Sequence, residues 1–209
     1  MNQPAQIPVE TAPPLPNLQS PIPGFNVMLM GGAGHGKTFA LRSLIETGIT
    51  PFIIFTEPGM RTVSDIPCPK LHWHYVKPRT TSWKQLQDNA DRISKLTFEA
   101  LANVHDAKRS ENKGYYEVVD NFANFKCDRC GQAFGDVSTW GTDRAVVIDS
   151  LSGLNPMVMA YTVGDKPVIA PGEWMIAQKG LLSFIEKATV DKHCHFILIA
   201  HLEREKDEV

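Results

Sequence analysis

The sequence GGAGHGKT at residues 31–38 constrains the fold of this chain more than any other feature. It fits the pattern G-x-x-x-x-G-K-[ST], with Gly31, Gly36, Lys37 and Thr38 at the fixed positions. The apolar run FNVMLM precedes the motif, and apolar residues at helical spacing follow it. Since the motif works only between a strand and a helix, the sequence predicts a phosphate-binding loop in that setting.

The residue types of this loop suit a nucleoside triphosphate. Glycines allow successive backbone N–H groups to turn toward a phosphate, and the helix N-terminus adds partial positive charge. Lys37 is expected to reach the β- and γ-phosphates, and the Thr38 hydroxyl to bind Mg²⁺. A glycine-rich turn without a ligand is the alternative, but such a turn does not need Lys-Thr after its last glycine. The residues predicted to bind ATP are Gly31, Gly32, Ala33, Gly34, His35, Gly36, Lys37, Thr38 and Phe39.

Composition divides the chain into a tail and one domain. Residues 1–24 hold seven of the fifteen prolines and little apolar periodicity, which predicts a disordered tail. Residues 25–209 suffice for one domain with a full core. The net charge of −2 gives no overall basic surface, so any contact with nucleic acid must be local. Neither a signal-peptide pattern nor an apolar run of about 18 residues is found, so we expect a cytoplasmic protein without membrane contact.

Buried strands alternate with helices along the domain. Apolar runs predict strands within residues 51–59, 71–76, 144–154 and 195–201. Ser82 and Gln85 form a capping box for a long helix that continues through Leu101, and a second helix runs from Trp174 to Ala188. The polar segment 106–143 is interpreted as an insertion. This alternation predicts an α/β fold, a mostly parallel sheet with helices on both faces, whose ligands bind beyond the carboxyl ends of the strands.

Polar residues end three of these strands, which the sheet should bring to one edge beside the glycine loop. They are Glu57, Asp149 with Ser150, and His201. Each alone could be a loop residue or a helix cap. In phosphoryl transfer, Asp149 would hold Mg²⁺, Glu57 would orient and deprotonate the attacking water, and His201 would sense the γ-phosphate. The predicted catalytic residues are Lys37, Glu57, Asp149 and His201.

With GGAGHGKT, FIIFTEPG, VVIDSLSGL and FILIAHLERE in this order, the chain resembles the RecA-like ATPases. It is most similar to phage-encoded ATP-binding proteins of the RecA-like branch of the Sak single-strand annealing family. The resemblance implies a DNA-stimulated ATPase for recombination or annealing on single-stranded DNA, located in the host cytoplasm if phage-encoded. It also implies a homo-oligomeric ring or filament, because a neighbouring subunit completes the family's site. His201 stands where RecA has glutamine, and Arg204 is similar to an arginine of the replicative helicases.

The resemblance also suggests where DNA would bind. The family's first DNA-binding loop corresponds to residues 155–174, which we expect to be a long loop. Tyr161 offers a stacking ring there and Lys166 a phosphate contact. The sequence ends at Val209, where the family's second loop would follow, so we expect the RecA-like core to be truncated at its C-terminus.

The segment KCDRCGQAF has the Cys-x-x-Cys-Gly form of half a zinc site, formed by Cys127 and Cys130. His193 or Cys194 could complete the site, with His72 as another option. Two reduced thiols in a turn are the alternative, and a thioredoxin-like redox pair fits the local pattern less well.

Two other functions remain open at this point. A small-molecule or nucleotide kinase uses the same phosphate loop, although it usually carries an arginine-rich lid and an acceptor pocket near the second strand. A DNA helicase motor is the other alternative.

Overall fold

The computed structural model describes residues 24–78, 82–102, 112–164, 166, 168–190 and 192–202. The predicted tail, apart from Gly24, therefore lies outside the described residues, as do Arg204 and the start of the predicted insertion. Within the described ranges, no helix combines the length and the apolar character needed to cross a membrane.

In the described part of the chain, the centre of the fold is a five-stranded sheet in which every neighbouring pair is parallel. The strands are β1 (Asn26–Gly31), β2 (Thr50–Phe55), β3 (His72–Tyr75), β4 (Arg144–Asp149) and β5 (His195–His201). Their order across the sheet is β1-β5-β4-β2-β3. The predicted α/β class, the strands and their parallel arrangement are confirmed.

Helices flank the sheet. They are α1 (Lys37–Ala40), α2 (Arg42–Glu46), α3 (Trp83–Ser94), α4 (Phe98–Ala102), α5 (Gly114–Ala123), α6 (Leu151–Val163) and α7 (Pro171–Val190). Leu41 keeps right-handed helical dihedrals between α1 and α2, so the path after the glycine loop is nearly continuous. The capping box of Ser82 and Gln85 is confirmed. The long helix that it begins is divided, because the Thr97 hydroxyl accepts a hydrogen bond from the Ala100 N–H and starts a new helix.

Alternate side chains of the strands face two separate apolar layers. In β2, Ile53 and Phe55 pack on the layer that contains Leu41 and Leu44 of the first helices. Phe52 and Ile54 face the opposite layer, which is built with α5, α6 and α7. The central strands are buried on both faces, as parallel strands require, and this explains their continuous apolar sequence.

The segment interpreted as an insertion supplies part of the second layer. Its buried apolar side chains are Val118, Phe125, Cys127, Val137 and Trp140. The Phe52 ring lies 4.4 Å from that of Trp140 and 5.2 Å from that of Phe125, measured between centroids. The described part of this segment is therefore an integral part of the core. The segment is polar on average, so its composition does not indicate the few apolar side chains that pack in the core.

The prediction of a long loop at residues 155–174 is wrong. Most of it is helical, since α6 ends only at Val163 and α7 begins at Pro171. Ser150 caps α6 by accepting a hydrogen bond from the Gly153 N–H at 3.3 Å. Buried Leu154 and Val158 attach this helix to the core, which outweighs the donor missing at Pro156.

Candidate functional site

The glycine loop joins the carboxyl end of β1 to the first helix. Gly34 and Gly36 have φ angles of 77° and 76°, a left-handed conformation that side chains disfavour. Gly36 is the N-cap of α1, so the first N–H groups of the helix, which have no intrahelical acceptor, lie beside the loop. Residues 33–36 are exposed, and so is the Phe39 ring, which the Arg42 guanidinium covers at 4.8 Å from its centroid.

Lys37 folds back over the start of the loop. Its Nζ donates hydrogen bonds to the Gly31 and Gly32 carbonyl oxygens, each at 2.8 Å. The same ammonium lies 3.1 Å from Nδ1 of His201. The lysine of the motif is thus held at the edge of the sheet, next to the last residue of β5.

Thr38 and Asp149 meet across the sheet edge. The Thr38 hydroxyl donates to Asp149 Oδ2 at 2.6 Å, although the two residues come from α1 and β4. Asp149 is only 5% exposed. Burial raises the pKa of this carboxyl above its usual value. The Thr38 hydrogen bond and the nearby His201 and Lys37 lower the pKa, but by less than burial raises it. The pair offers two hard oxygen donors at one place, the type of ligand that Mg²⁺ prefers.

Glu57 lies on the other side of His201, just beyond β2. Its Oε2 accepts a hydrogen bond from the Ser150 hydroxyl at 2.5 Å and lies 3.2 Å from His201 Nε2. Thr56 ties β2 to β4 here, because its hydroxyl accepts from the Ser150 N–H at 2.8 Å and donates to the Ser150 carbonyl at 2.7 Å. The peptide bond that joins Asp149 to Ser150 is cis.

The contacts of His201 define its tautomer. An ammonium group has only donors, so Nδ1 of His201 must accept from Lys37. The proton of the neutral ring then lies on Nε2, which faces Glu57 Oε2 at 3.2 Å. A chain of close polar contacts therefore links Lys37, His201, Glu57 and Ser150.

The strand order explains why these residues meet. β5 lies between β1 and β4, and its register places His201 opposite Gly31. The register of β2 against β4 places Phe55 opposite Asp149, two residues before Glu57. The edge that the sequence predicted for all four polar residues is therefore present, with His201 between the glycine loop and the two acids.

Tyr161 and Lys166, the predicted DNA contacts, lie on and just after α6. Tyr161 is 47% exposed, and its ring centroid lies 5.6 Å from that of Tyr115. Lys166 has a side chain only 12% exposed and is paired with both Glu173 oxygens at 3.0 Å. A phosphate would have to displace this ion pair to reach Lys166.

An open cavity of about 740 Å³ adjoins Glu57 beyond the ends of β2 and β3. Its wall includes Lys77 and Lys113, Tyr75, and Met157 of α6. No local sequence pattern indicates this cavity, because its lining comes from four separate segments.

The predicted half zinc site belongs to a larger group, which we call the Cys/His cluster. Its members are Cys68, His72, Cys127 and Cys130, and one ligand atom from each lies within 4.8 Å of the others. This group could hold a metal ion. His72 was among the predicted partners and is confirmed as a member, whereas the prediction of His193 or Cys194 is wrong. The buried Cys194 thiol instead donates to the Val137 carbonyl at 3.7 Å. Cys68 was not predicted as a ligand, although the Cys-x-x-x-His spacing of Cys68 and His72 before β3 is a pattern that could have indicated it.

No protein-family model matches this chain, and no curated protein is significantly similar to it. The sequence motifs and the geometry of the sheet edge are therefore the features that indicate a function.

Proposed function

We propose that this chain is an ATPase of the RecA-like type that binds ATP and Mg²⁺ at the carboxyl edge of the sheet. The observation that carries the proposal is the convergence of a lysine, a hydroxyl, two carboxylates and a histidine beside the glycine loop. Three strand ends and one helix supply these groups, and each group would have a role in phosphoryl transfer.

The loop would bind the phosphates through its N–H groups, and Lys37 would exchange its carbonyl partners for phosphate oxygens. Thr38 and Asp149 would hold Mg²⁺, directly or through water; the ion would neutralise charge on the phosphates. Glu57 would accept the proton of the attacking water, since its carboxylate is oriented by Ser150 and His201. His201 would report phosphate binding to Glu57, because it contacts both Lys37 and Glu57.

We further propose that ATP turnover serves recombination or annealing on single-stranded DNA in a homo-oligomeric ring or filament. The support for this part is the sequence resemblance and the exposed Tyr161 ring. A helicase motor would show the same site, so the DNA substrate must be determined directly.

ATP turnover with and without single-stranded DNA tests the proposal. Lys37→Ala should lower turnover by about 10²–10³, the usual cost of removing one transition-state donor. Lys179→Ala, which removes an exposed lysine of α7, is the matched control and should be unchanged. A folded Lys37→Ala protein with wild-type turnover would refute the ATPase proposal.

Glu57→Gln separates binding from chemistry. The amide keeps the shape of the side chain but cannot accept a proton, so ATP should still bind while turnover falls by about 10²–10⁴. Glu46→Gln changes an exposed glutamate of α2 and serves as its control. If binding and turnover fall equally, Glu57 has a structural role.

The cavity beside Glu57 favours a second candidate, a kinase that phosphorylates a small acceptor. It lies near the second strand, where such enzymes bind acceptors, and Lys77 and Lys113 line it. A rate of ATP consumption that does not change with added DNA but rises with an added acceptor would favour the kinase over the DNA-dependent ATPase.

A further inference from the structure

We propose that the Cys/His cluster binds one Zn²⁺ ion, which fixes residues 126–133 to the open edge of the sheet. This site lies apart from the predicted ATP site and does not depend on the proposed function. We call residues 126–133 the knuckle; a β-bridge between Lys126 and Ala133 closes it.

The distances within the cluster match a tetrahedral zinc site. Bonds of about 2.3 Å to sulfur and 2.0–2.1 Å to nitrogen give tetrahedral edges of about 3.8 Å between sulfurs and 3.6 Å between sulfur and nitrogen. Cys68 Sγ lies 3.7 Å from Cys127 Sγ and 3.5 Å from His72 Nδ1. Cys130 Sγ lies 3.9 Å from the same nitrogen. Four ligand atoms therefore surround a space of the size that zinc occupies.

The ligand types favour zinc over harder cations. Three thiols and one imidazole form a Cys₃His set, which is common in structural zinc sites with all four positions filled by protein. All four cysteines of the chain are free, and the sulfur separation of 3.7 Å is far longer than the disulfide bond of about 2.05 Å. Soft thiolate ligands exclude Mg²⁺ and Ca²⁺ as the preferred ion.

The local backbone presents these ligands without rearrangement. Cys68 begins a short 3₁₀ helix before β3, and His72 is the first residue of that strand. In the knuckle, the Cys127 N–H donates to the Gln132 carbonyl at 3.0 Å, and Gly131 takes a φ of 69° that allows the tight turn. Two segments about 60 residues apart thus each supply two ligands at close spacing.

The position of the cluster suggests what the metal stabilises. Among the described residues, β3 pairs with no strand but β2, so its other side is an edge of the sheet. Asp128 of the knuckle covers this edge: its N–H donates to the Trp73 carbonyl at 2.8 Å, and its carboxylate accepts from the Tyr75 N–H at 2.7 Å. The same carboxylate lies 2.9 Å from His74. Zinc at the adjacent cluster would hold the knuckle in this edge-covering position.

Metal analysis of the full chain, purified without a metal-affinity tag, tests the proposal. We expect about one zinc per chain in the wild type and in Cys194→Ser, whose thiol is buried but outside the cluster. Cys68→Ser and Cys127→Ser should lose the metal, from about one zinc per chain to none. Asp128→Asn should keep it, which separates metal binding from the contact with the sheet edge.

A second measurement covers the case in which these variants fail to fold. His72→Cys replaces one soft ligand by another and should retain zinc, whereas His72→Ala should release it to a chelator at least tenfold faster than the wild type. Cobalt substituted into the wild type should show the visible absorption of a tetrahedral thiolate site, and the Cys194→Ser spectrum should be identical. Folded wild-type protein without metal, iron in place of zinc, a Cys68–Cys127 disulfide, or full zinc content in Cys68→Ser would each overturn the proposal.

Discussion

Replacing Asp149 by asparagine should make the nucleotide-free protein more stable and abolish its response to Mg²⁺ and ATP. The carboxylate is 5% exposed and accepts a hydrogen bond from a neutral hydroxyl, that of Thr38. Burial raises its pKa, which means that the charged form is disfavoured in the folded protein. A buried carboxylate that serves the proposed Mg²⁺ site is expected to reduce stability in this way.

The magnitude follows from two opposing effects. Removing the charge relieves a desolvation cost of several kcal/mol for a buried ion. It also weakens a charge-assisted hydrogen bond worth about 1.5–3 kcal/mol. We expect a net gain of about 0.5–2 kcal/mol in the free energy of unfolding. For a domain of this size, that corresponds to a rise in Tm of about 1–8 °C.

Thermal unfolding with and without a non-hydrolysable ATP analogue and Mg²⁺ is the assay. At an analogue concentration of about 100 Kd, binding should stabilise the wild type by about 2.7 kcal/mol, or roughly 5–11 °C in Tm. The Asp149→Asn protein should show little of this shift, while Thr38→Ser, which keeps a hydroxyl, should retain it. An asparagine variant that is less stable than the wild type, yet equally stabilised by the nucleotide, would refute the reasoning.

Two further predictions concern the same edge of the sheet. The folded-state pKa of Asp149 lies above its usual value of 3.8, so the folded protein binds this proton more tightly than the unfolded chain. The wild type should therefore lose stability relative to Asp149→Asn as the pH rises from 3.8 to the raised pKa. Denaturant unfolding of both proteins over that pH range measures this difference, and a constant difference would contradict it. Gly153→Ala should cost about 1–3 kcal/mol in urea unfolding, because its added methyl would meet the Thr56 carbonyl oxygen at 2.8 Å. Gly172→Ala, which points into open space, should be neutral or stabilising, and equal effects of the two substitutions would refute the packing argument.

Several features of this protein could be predicted from local sequence alone. The central strands β2, β4 and β5 are short apolar runs because both of their faces are buried, and a polar residue stands where each of them leaves the core. The rule that parallel strands present their carboxyl ends at one edge then brings Glu57, Asp149 and His201 together. Capping at Ser82 was also predictable, since its partner Gln85 is only three residues away.

Other features depend on contacts between distant segments, which local patterns do not encode. The length of α6 was not predicted because its Gly and Pro residues are typical of a loop. Leu154 and Val158 stabilise the helix by packing in the core. Cys68 joins Cys127 only because β3 lies at the sheet edge beside the knuckle, an arrangement set by strand order. The sequence by itself thus determined the class of fold and the residues of the predicted ATP site. Tertiary structure alone decided which residues form the cavity wall and which form the Cys/His cluster, because each of these sites joins segments that are far apart along the chain.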